Sequence, residues 1–207
     1  GDVARALDSM AEKLEARARE RELSEKTLLN RSLQQTVVSA LGQFALVGSG
    51  LSELLNQAVM LVAQTLEVEY CQVLELTSEG KALFLEAGIG WKAGSVGKLS
   101  QPLEPDSEVG FLLRAGEPIV VEDLVAEQRF KKAPFLLEHG VTSGVMVAIT
   151  GQQGRVFGVL GAHTAHRRKF TEDEVHFLLA VATVLAMAVE RQRTEAHLAP
   201  KTRDRRA

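Results

Sequence analysis

The chain is predicted to be an α+β protein, with antiparallel strands at its centre and helices at both ends. Three observations carry this. Val141–Thr150 and Arg155–Thr164 are two runs rich in Val, Ile and small residues, and Gly151-Gln-Gln-Gly154 between them supplies the glycine that a hairpin loop requires. A long helix is signalled straight after them. A third stretch, residues 1 to 47, contains no proline and is dense in Ala, Leu, Glu, Arg and Gln, all strong helix formers.

Taken in order, that first stretch predicts one long helix. Val3, Leu7, Met10 and Leu14 keep the alternating spacing of a coiled-coil seam, which blurs over 17–22 and resumes with Leu29, Leu33, Val37 and Leu41. A helix this long has no compact domain large enough to hide its seam, so it is expected to pair with a copy of itself. Gly48-Ser49-Gly50 ends the pattern, and Leu51, Leu54, Leu55, Ala58, Leu61, Val62 and Leu66 restart it as a fresh amphipathic helix. The domain boundary falls there.

Residues 70–77 and 82–87 read as two strands joined by the turn Ser78-Glu79-Gly80. A glycine-rich passage, 88–94, leads into a loop containing Pro102 and Pro105; 107–115 reads as a short helix, and Ile119-Val-Val121 as a short strand with Asp123 just beyond it. Residues 128–134 read as loop, and 135–139 as a helical turn stopped by Gly140. The two later strands carry apolar side chains on both faces, as strands in the middle of a sheet do.

The last helix opens at Phe170-Thr-Glu-Asp-Glu174, where Thr171 as N-cap and Glu174 three residues on satisfy each other's free backbone N–H. Val175, Leu178, Ala182, Leu185 and Val189 form one apolar stripe, and Phe177, Val181, Val184 and Ala188 a second, about 100° away. One stripe covers the sheet. The other lies either deep in a larger core or, since a chain of this size offers few other elements to bury it, against a second subunit, which is the favoured reading. Beyond it, 190–198 continues as polar helix to Pro200, and 201–207 is a basic tail that reads as a linker toward an output domain.

Composition narrows the classes of function. With 45% hydrophobic and 25% charged residues in 207, the chain is an ordinary globular protein, and its net charge of −3 gives no reason to expect nucleic acid. The tail has no aromatic interleaving that would make it a nucleic-acid arm. One cysteine excludes an intramolecular disulfide framework and a cysteine-cluster metal site, which fits a reducing cytoplasm. The longest apolar run, 177–189, is shorter than the roughly 18–20 residues that span a bilayer, and no signal peptide opens the chain. The sequence also lacks a phosphate-cradling Gly-Lys loop, a nucleophile elbow and a paired base and orienter, so no catalytic residue is expected.

The order of elements, with Leu136-Leu-Glu-His-Gly-Val-Thr-Ser-Gly144, Phe157-Gly-Val-Leu-Gly161 and Phe170-Thr-Glu-Asp-Glu174, resembles a GAF domain over about residues 51–190. The resemblance implies an antiparallel sheet of five or six strands, the first and last helices on one face, and a small-molecule pocket enclosed by the other. It also implies dimerisation through the N- and C-terminal helices. Residues 1–14 resemble the start of the second helix of a HAMP domain, with Gly1, Val3, Ala6, Leu7, Asp8 and Met10 on the pattern. Together these divide the chain into a HAMP-like signalling helix (1–47), a GAF sensory domain (51–190) and a helix end with linker (191–207). They imply the cytoplasmic part of a membrane-anchored receptor, joined to the membrane only through segments outside this chain, with an output such as a histidine kinase or diguanylate cyclase.

Carried over by position, the pocket involves residues 91–113, 123–136 and the inward side chains of the two later strands. Trp91, Phe111, Phe130 and Phe135 either enclose a flat ligand or pack as core under a lid. Asp123 either accepts a hydrogen bond from a ligand or caps its own turn, the reading its position favours. His139 falls near the place where haem-binding members carry their axial histidine; haem is thus a possible cofactor, set against a histidine favoured at a helix end by the dipole. His163 is a further candidate. With His166, Arg167, Arg168 and Lys169 it offers too few ligands for a metal and reads better as a solvated basic loop. The lone Cys71 has no bilin-attachment context, and only Phe170, Asp173 and Glu174 echo the cyclic-nucleotide signature. The leading expectation is a dimeric sensor of a small molecule, and its rival a ligand-free dimerising connector.

Overall fold

A computed structural model describes the backbone of residues 2–47 and 50–198, and the side chains at 10, 13, 14, 17–47 and 50–195. In chain order the elements are α1 (Asp2–Val47), α2 (Leu51–Leu66), β1 (Tyr70–Leu76), β2 (Ala82–Ile89), β3 (Ser100–Pro102), α3 (Glu108–Ala115), β4 (Ile119–Val121), α4 (Pro134–Glu138), β5 (Ser143–Thr150), β6 (Val156–Thr164) and α5 (Glu172–Leu198). The strands form one six-stranded sheet in the order β3-β2-β1-β6-β5-β4. Every neighbouring pair is antiparallel. The α+β class and the GAF-like sheet with helices on one face are therefore observed. Among the described residues no helix is long and apolar enough to cross a membrane.

The chain divides into two compact units, residues 1–36 and 37–207. In the first, the α1 side chains of Met10, Leu14, Leu23, Leu28, Leu29 and Leu33 stand exposed. Five of the HAMP-pattern positions, Gly1, Val3, Ala6, Leu7 and Asp8, lie outside the residues whose side chains are described.

In the second unit, alternation along the strands separates two cores. Cys71, Val73, Val145, Val147, Leu160 and Ala162 project toward α2 and α5. Leu74, Leu85, Met146 and Val159 project the other way, under α3, α4 and their loops. The capping box opens α5 as expected: Thr171 N donates to Glu174 Oε2 at 2.7 Å, and Glu174 N donates to the Thr171 hydroxyl at 3.3 Å.

The double stripe of α5 is satisfied differently from the expectation. Phe177, Val181 and Ala188 are buried in the same core as Leu178, Ala182 and Leu185, together with α2 and with Val37 and Leu41 of α1. The second stripe therefore needs no second subunit to cover it. Likewise Val37 and Leu41, assigned above to the coiled-coil seam, are spent inside the chain. β3, read above as loop, joins the sheet edge by pairing Ser100–Pro102 with Ala82–Phe84 of β2. An edge is where a proline within a strand is tolerated.

Candidate ligand-binding site

The face of the sheet opposite α2 and α5 holds a cleft of about 410 Å³, lined among others by Gln72, Leu74, Glu108, Val109, Phe135 and Met146. This is within the usual range for small-molecule sites, about 300–1,000 Å³. The cover is held by its own backbone. Ser107 caps α3 by accepting from Gly110 N at 3.1 Å, and Lys131 N donates to Asp106 O at 2.7 Å, tying the start of α3 to the segment before α4. Gly110 cannot be larger: an added Cβ would lie 2.2 Å from Glu104 O, so the first turn of α3 presses directly on the preceding loop.

Two polar groups lie buried at this cleft. Gln72, 3% exposed on β1, places Nε2 3.4 Å from His163 Nε2, while its Oε1 has no hydrogen-bond partner among the described residues. A buried acceptor left in that state costs about 1–3 kcal/mol. Glu108, 5% exposed, opens α3. No hydrogen bond or ion pair holds its carboxyl among the described residues. Burial pushes its pKa up to about 7, Glu127 adds to the rise, and Arg129 opposes it. Arg129 is already committed: Nε and Nη2 both bond the Glu127 carboxylate, and Nη2 also donates to Val120 O at 2.8 Å. That grip holds Glu127 down at about 2.

The residues singled out in the sequence fall into three places. Trp91, Phe135, His139 and His163 come together with Tyr70 in one aromatic group: Trp91 lies 4.8 Å from Tyr70, 4.5 Å from Phe135, 5.1 Å from His139 and 6.0 Å from His163, centroid to centroid. Phe135 belongs to this group and to the cleft wall. Phe111 and Phe130 pair separately at 5.8 Å beneath the Arg129 guanidinium. Asp123 is apart from both and caps its own turn, accepting from Val125 N and Ala126 N.

His163 is not part of a solvated loop. It sits on β6 at 1% exposure, and burial pushes its pKa down to about 4, so the ring is neutral at pH 7. Two glycines make room for it: a Cβ at Gly144 would lie 2.4 Å from Nδ1, and one at Gly161 2.7 Å from Nε2. Of the neighbouring basic residues, Arg168 is half-buried and bonds Leu66 O and Glu174.

The haem reading does not fit His139. Its Nε2 accepts from Lys92 N at 3.1 Å, which leaves Nδ1 as the donor to Phe135 O at 2.7 Å, so neither nitrogen offers a free lone pair to iron. Nor does covalent bilin attachment fit. Cys71 is fully buried on the helix side of the sheet, and burial pushes its thiol pKa up.

Gln72 and Glu108 were not among the sequence candidates. One weak signal marked each: a glutamine within an apolar strand, and an acid at a helix start.

An antiparallel sheet with helices on one face and a roofed recess on the other is the build of a ligand-binding α+β domain. The family is GAF: its family model matches residues 50–189, more than half of the chain, and the chain belongs to it. A search of the sequence against curated proteins finds no match. Among solved structures, the GAF domain of a phosphoenolpyruvate-protein phosphotransferase from Coxiella burnetii is similar at 22% identity and a TM-score of 0.72, over 82% of this chain and 99% of that one. Free methionine-R-sulfoxide reductase from Neisseria meningitidis, in complex with its substrate, is similar at 18% identity and a TM-score of 0.66, over 80% and 93%. The phycocyanobilin-bound GAF domain of a cyanobacterial phytochrome gives 17% identity and 0.64, over 79% and 97%. GAF domains are sensory and regulatory modules that bind small molecules.

Proposed function

We propose that this chain is the sensory module of a signal-transduction protein: a small molecule occupies the cleft over β1 and β5, and its presence is relayed through helical pairing to an output domain. The supporting observation is the roofed recess of about 410 Å³ with the unpartnered Gln72 Oε1 at its wall. A ligand-free connector has no use for a buried acceptor left open, since a filled core satisfies or excludes polar groups. The phytochrome and reductase structures, one bilin-bound and the other holding its substrate, show that this fold accommodates small molecules.

Relay rests on α1, whose exposed Leu14, Leu29 and Leu33 suit a parallel copy of the same helix. The HAMP-like start, the cytoplasmic setting and an output such as a histidine kinase or diguanylate cyclase belong to the same proposal. A ligand that binds two helix arrangements unequally shifts their populations, and no more than that is needed.

Sedimentation equilibrium of the purified chain tests the pairing. The expected result is a dimer that Leu29→Asp with Leu33→Asp converts to folded monomer; a wild-type monomer at high concentration would remove the relay. Thermal unfolding against a metabolite library tests the sensing. A stabilising compound whose effect is lost in Phe135→Ala is expected, and stabilisation indifferent to that substitution would place the site elsewhere.

A further inference from the structure

The sensor reading leaves open what the cleft selects, and the saturation of its polar groups narrows this. The cationic side chains around the recess, and the Gln72 amide N–H, already have partners. Gln72 Nε2 meets His163, Lys131 Nζ bonds Glu104 at 3.0 Å, Lys132 Nζ donates to Val125 O, and Arg129 is divided between Glu127 and Val120 O. Two groups remain open: Gln72 Oε1, an acceptor, and the Glu108 carboxyl, which only accepts once it is ionised. A ligand that completes Gln72 Oε1 and the ionised Glu108 brings donors.

Charge separates a cationic donor from a neutral one. Arg129 with Glu127 and Lys131 with Glu104 are matched pairs; Asp106 and Glu138 lie exposed, and Lys132 sits near the mouth with its ammonium on a backbone carbonyl. His163 is neutral above about pH 4. The ionised Glu108 therefore has no partner of its own in the cleft, and a buried carboxylate is stabilised far more by a cation that donates hydrogen bonds than by a hydroxyl.

Resting on the sensor reading of the same cleft, we propose that its ligand enters through a protonated amine, with the Glu108 carboxylate as counter-charge and Gln72 Oε1 as second acceptor. Binding displaces the proton that Glu108 holds in the empty cleft. Affinity for an amine that stays charged to about pH 10 is then lost below pH 7, about tenfold per pH unit.

The test uses the whole chain with three probes of equal carbon number, n-butylamine, n-butanol and butyrate, read on the ¹³C-methyl signal of Met146 in the cleft wall. At pH 8 the amine is expected to bind at least about tenfold more tightly than either other probe. That preference should decline below pH 7 and vanish in Glu108→Gln. Equal or better binding of butanol or butyrate overturns the amine inference and leaves the sensor standing. If none of the three moves Met146 at concentrations up to solubility, the amine inference falls, and the sensor reading falls with it only if the metabolite library also yields no stabilising compound. Should Glu108→Gln not fold, the pH profile of the unaltered protein decides: a flat profile between pH 5 and 8 overturns the proposal.

Discussion

The two faces of the sheet are built from the same six strands and treat polar groups in opposite ways. On the α2–α5 side the core runs in hydrocarbon from Val37 and Leu41 through Leu54, Val62 and Val145 to Leu178 and Leu185, and the buried hydroxyls in register with it, Ser143 and Thr164, have hydrogen-bond partners. On the cleft side, Gln72 and Glu108 are buried in the same wall as Leu74 and Met146, and His163 is buried against Gln72 and Trp91. Burying polar groups without full partners lowers stability. The first face can therefore be assigned to holding the fold, and the second to a task that the fold's own stability does not require.

Substitutions on the two faces should then differ in sign. Leu185, fully buried on α5, is the severe case: Leu185→Ala should cost roughly 3–4 kcal/mol through lost burial and a residual cavity, read as a lower midpoint in urea unfolding. An effect under about 1 kcal/mol would mean that the α5 face is not the stabilising one.

Glu108→Gln should do the reverse at neutral and higher pH. A carboxyl whose folded pKa is raised from 4.5 to about 7 contributes stability that is complete below 4.5 and lost as pH rises through 7. Removing it should therefore stabilise the protein at pH 8 by on the order of 3 kcal/mol, and by little at pH 4. His163 runs the other way: its folded pKa is lowered from 6.5 to about 4, so its contribution is present above 6.5 and lost as pH falls through 4. The two oppose each other between pH 4.5 and 6.5. Stability measured against pH should be flatter in the parent there than in Glu108→Gln, which keeps only the His163 loss among this pair.

A smaller effect should mark Gly144, where a Cβ would meet the His163 ring at 2.4 Å. Gly144→Ala is expected to cost about 1–2 kcal/mol and to shift the His163 imidazole signals, because the ring has to tilt or the strands separate. A silent substitution would show that His163 does not lie over that glycine.

Much of the stabilising face was legible in the sequence, because periodicity reports it directly. Leu54, Leu55, Ala58 and Val62 mark α2, Thr171 with Glu174 marks the start of α5, and the glycines at 151 and 154 mark the hairpin turn. The α5 stripes were visible too, but their partner was not. That Phe177 and Val181 meet α2 and the end of α1 depends on how helices far apart in sequence cross the sheet. β3 escaped for a different reason: Ser100-Gln-Pro102 has no apolar alternation and becomes a strand only through pairing with β2.

The cleft was less legible. Trp91, Phe135, His139 and His163 do gather, yet mostly as a packed wall, whereas Glu108 read as one more acid suited to a helix N-terminus. Its meaning comes from burial without a partner, which no local pattern encodes. In the sequence His163 groups with the basic run at 166–169, although the strand itself reads to Thr164; its place in β6 carries the ring inside.

The division between the faces is tested most directly by following ¹³C-methyl resonances of both during titration with a stabilising ligand or the amine probe. The account predicts shifts confined to the cleft side, at Leu74, Val109, Leu136 and Met146, with Val145, Val147, Leu178 and Leu185 unmoved at low occupancy. Shifts that begin among Val145, Val147 and Leu178 instead would place the binding site in the helix-packed core and contradict it.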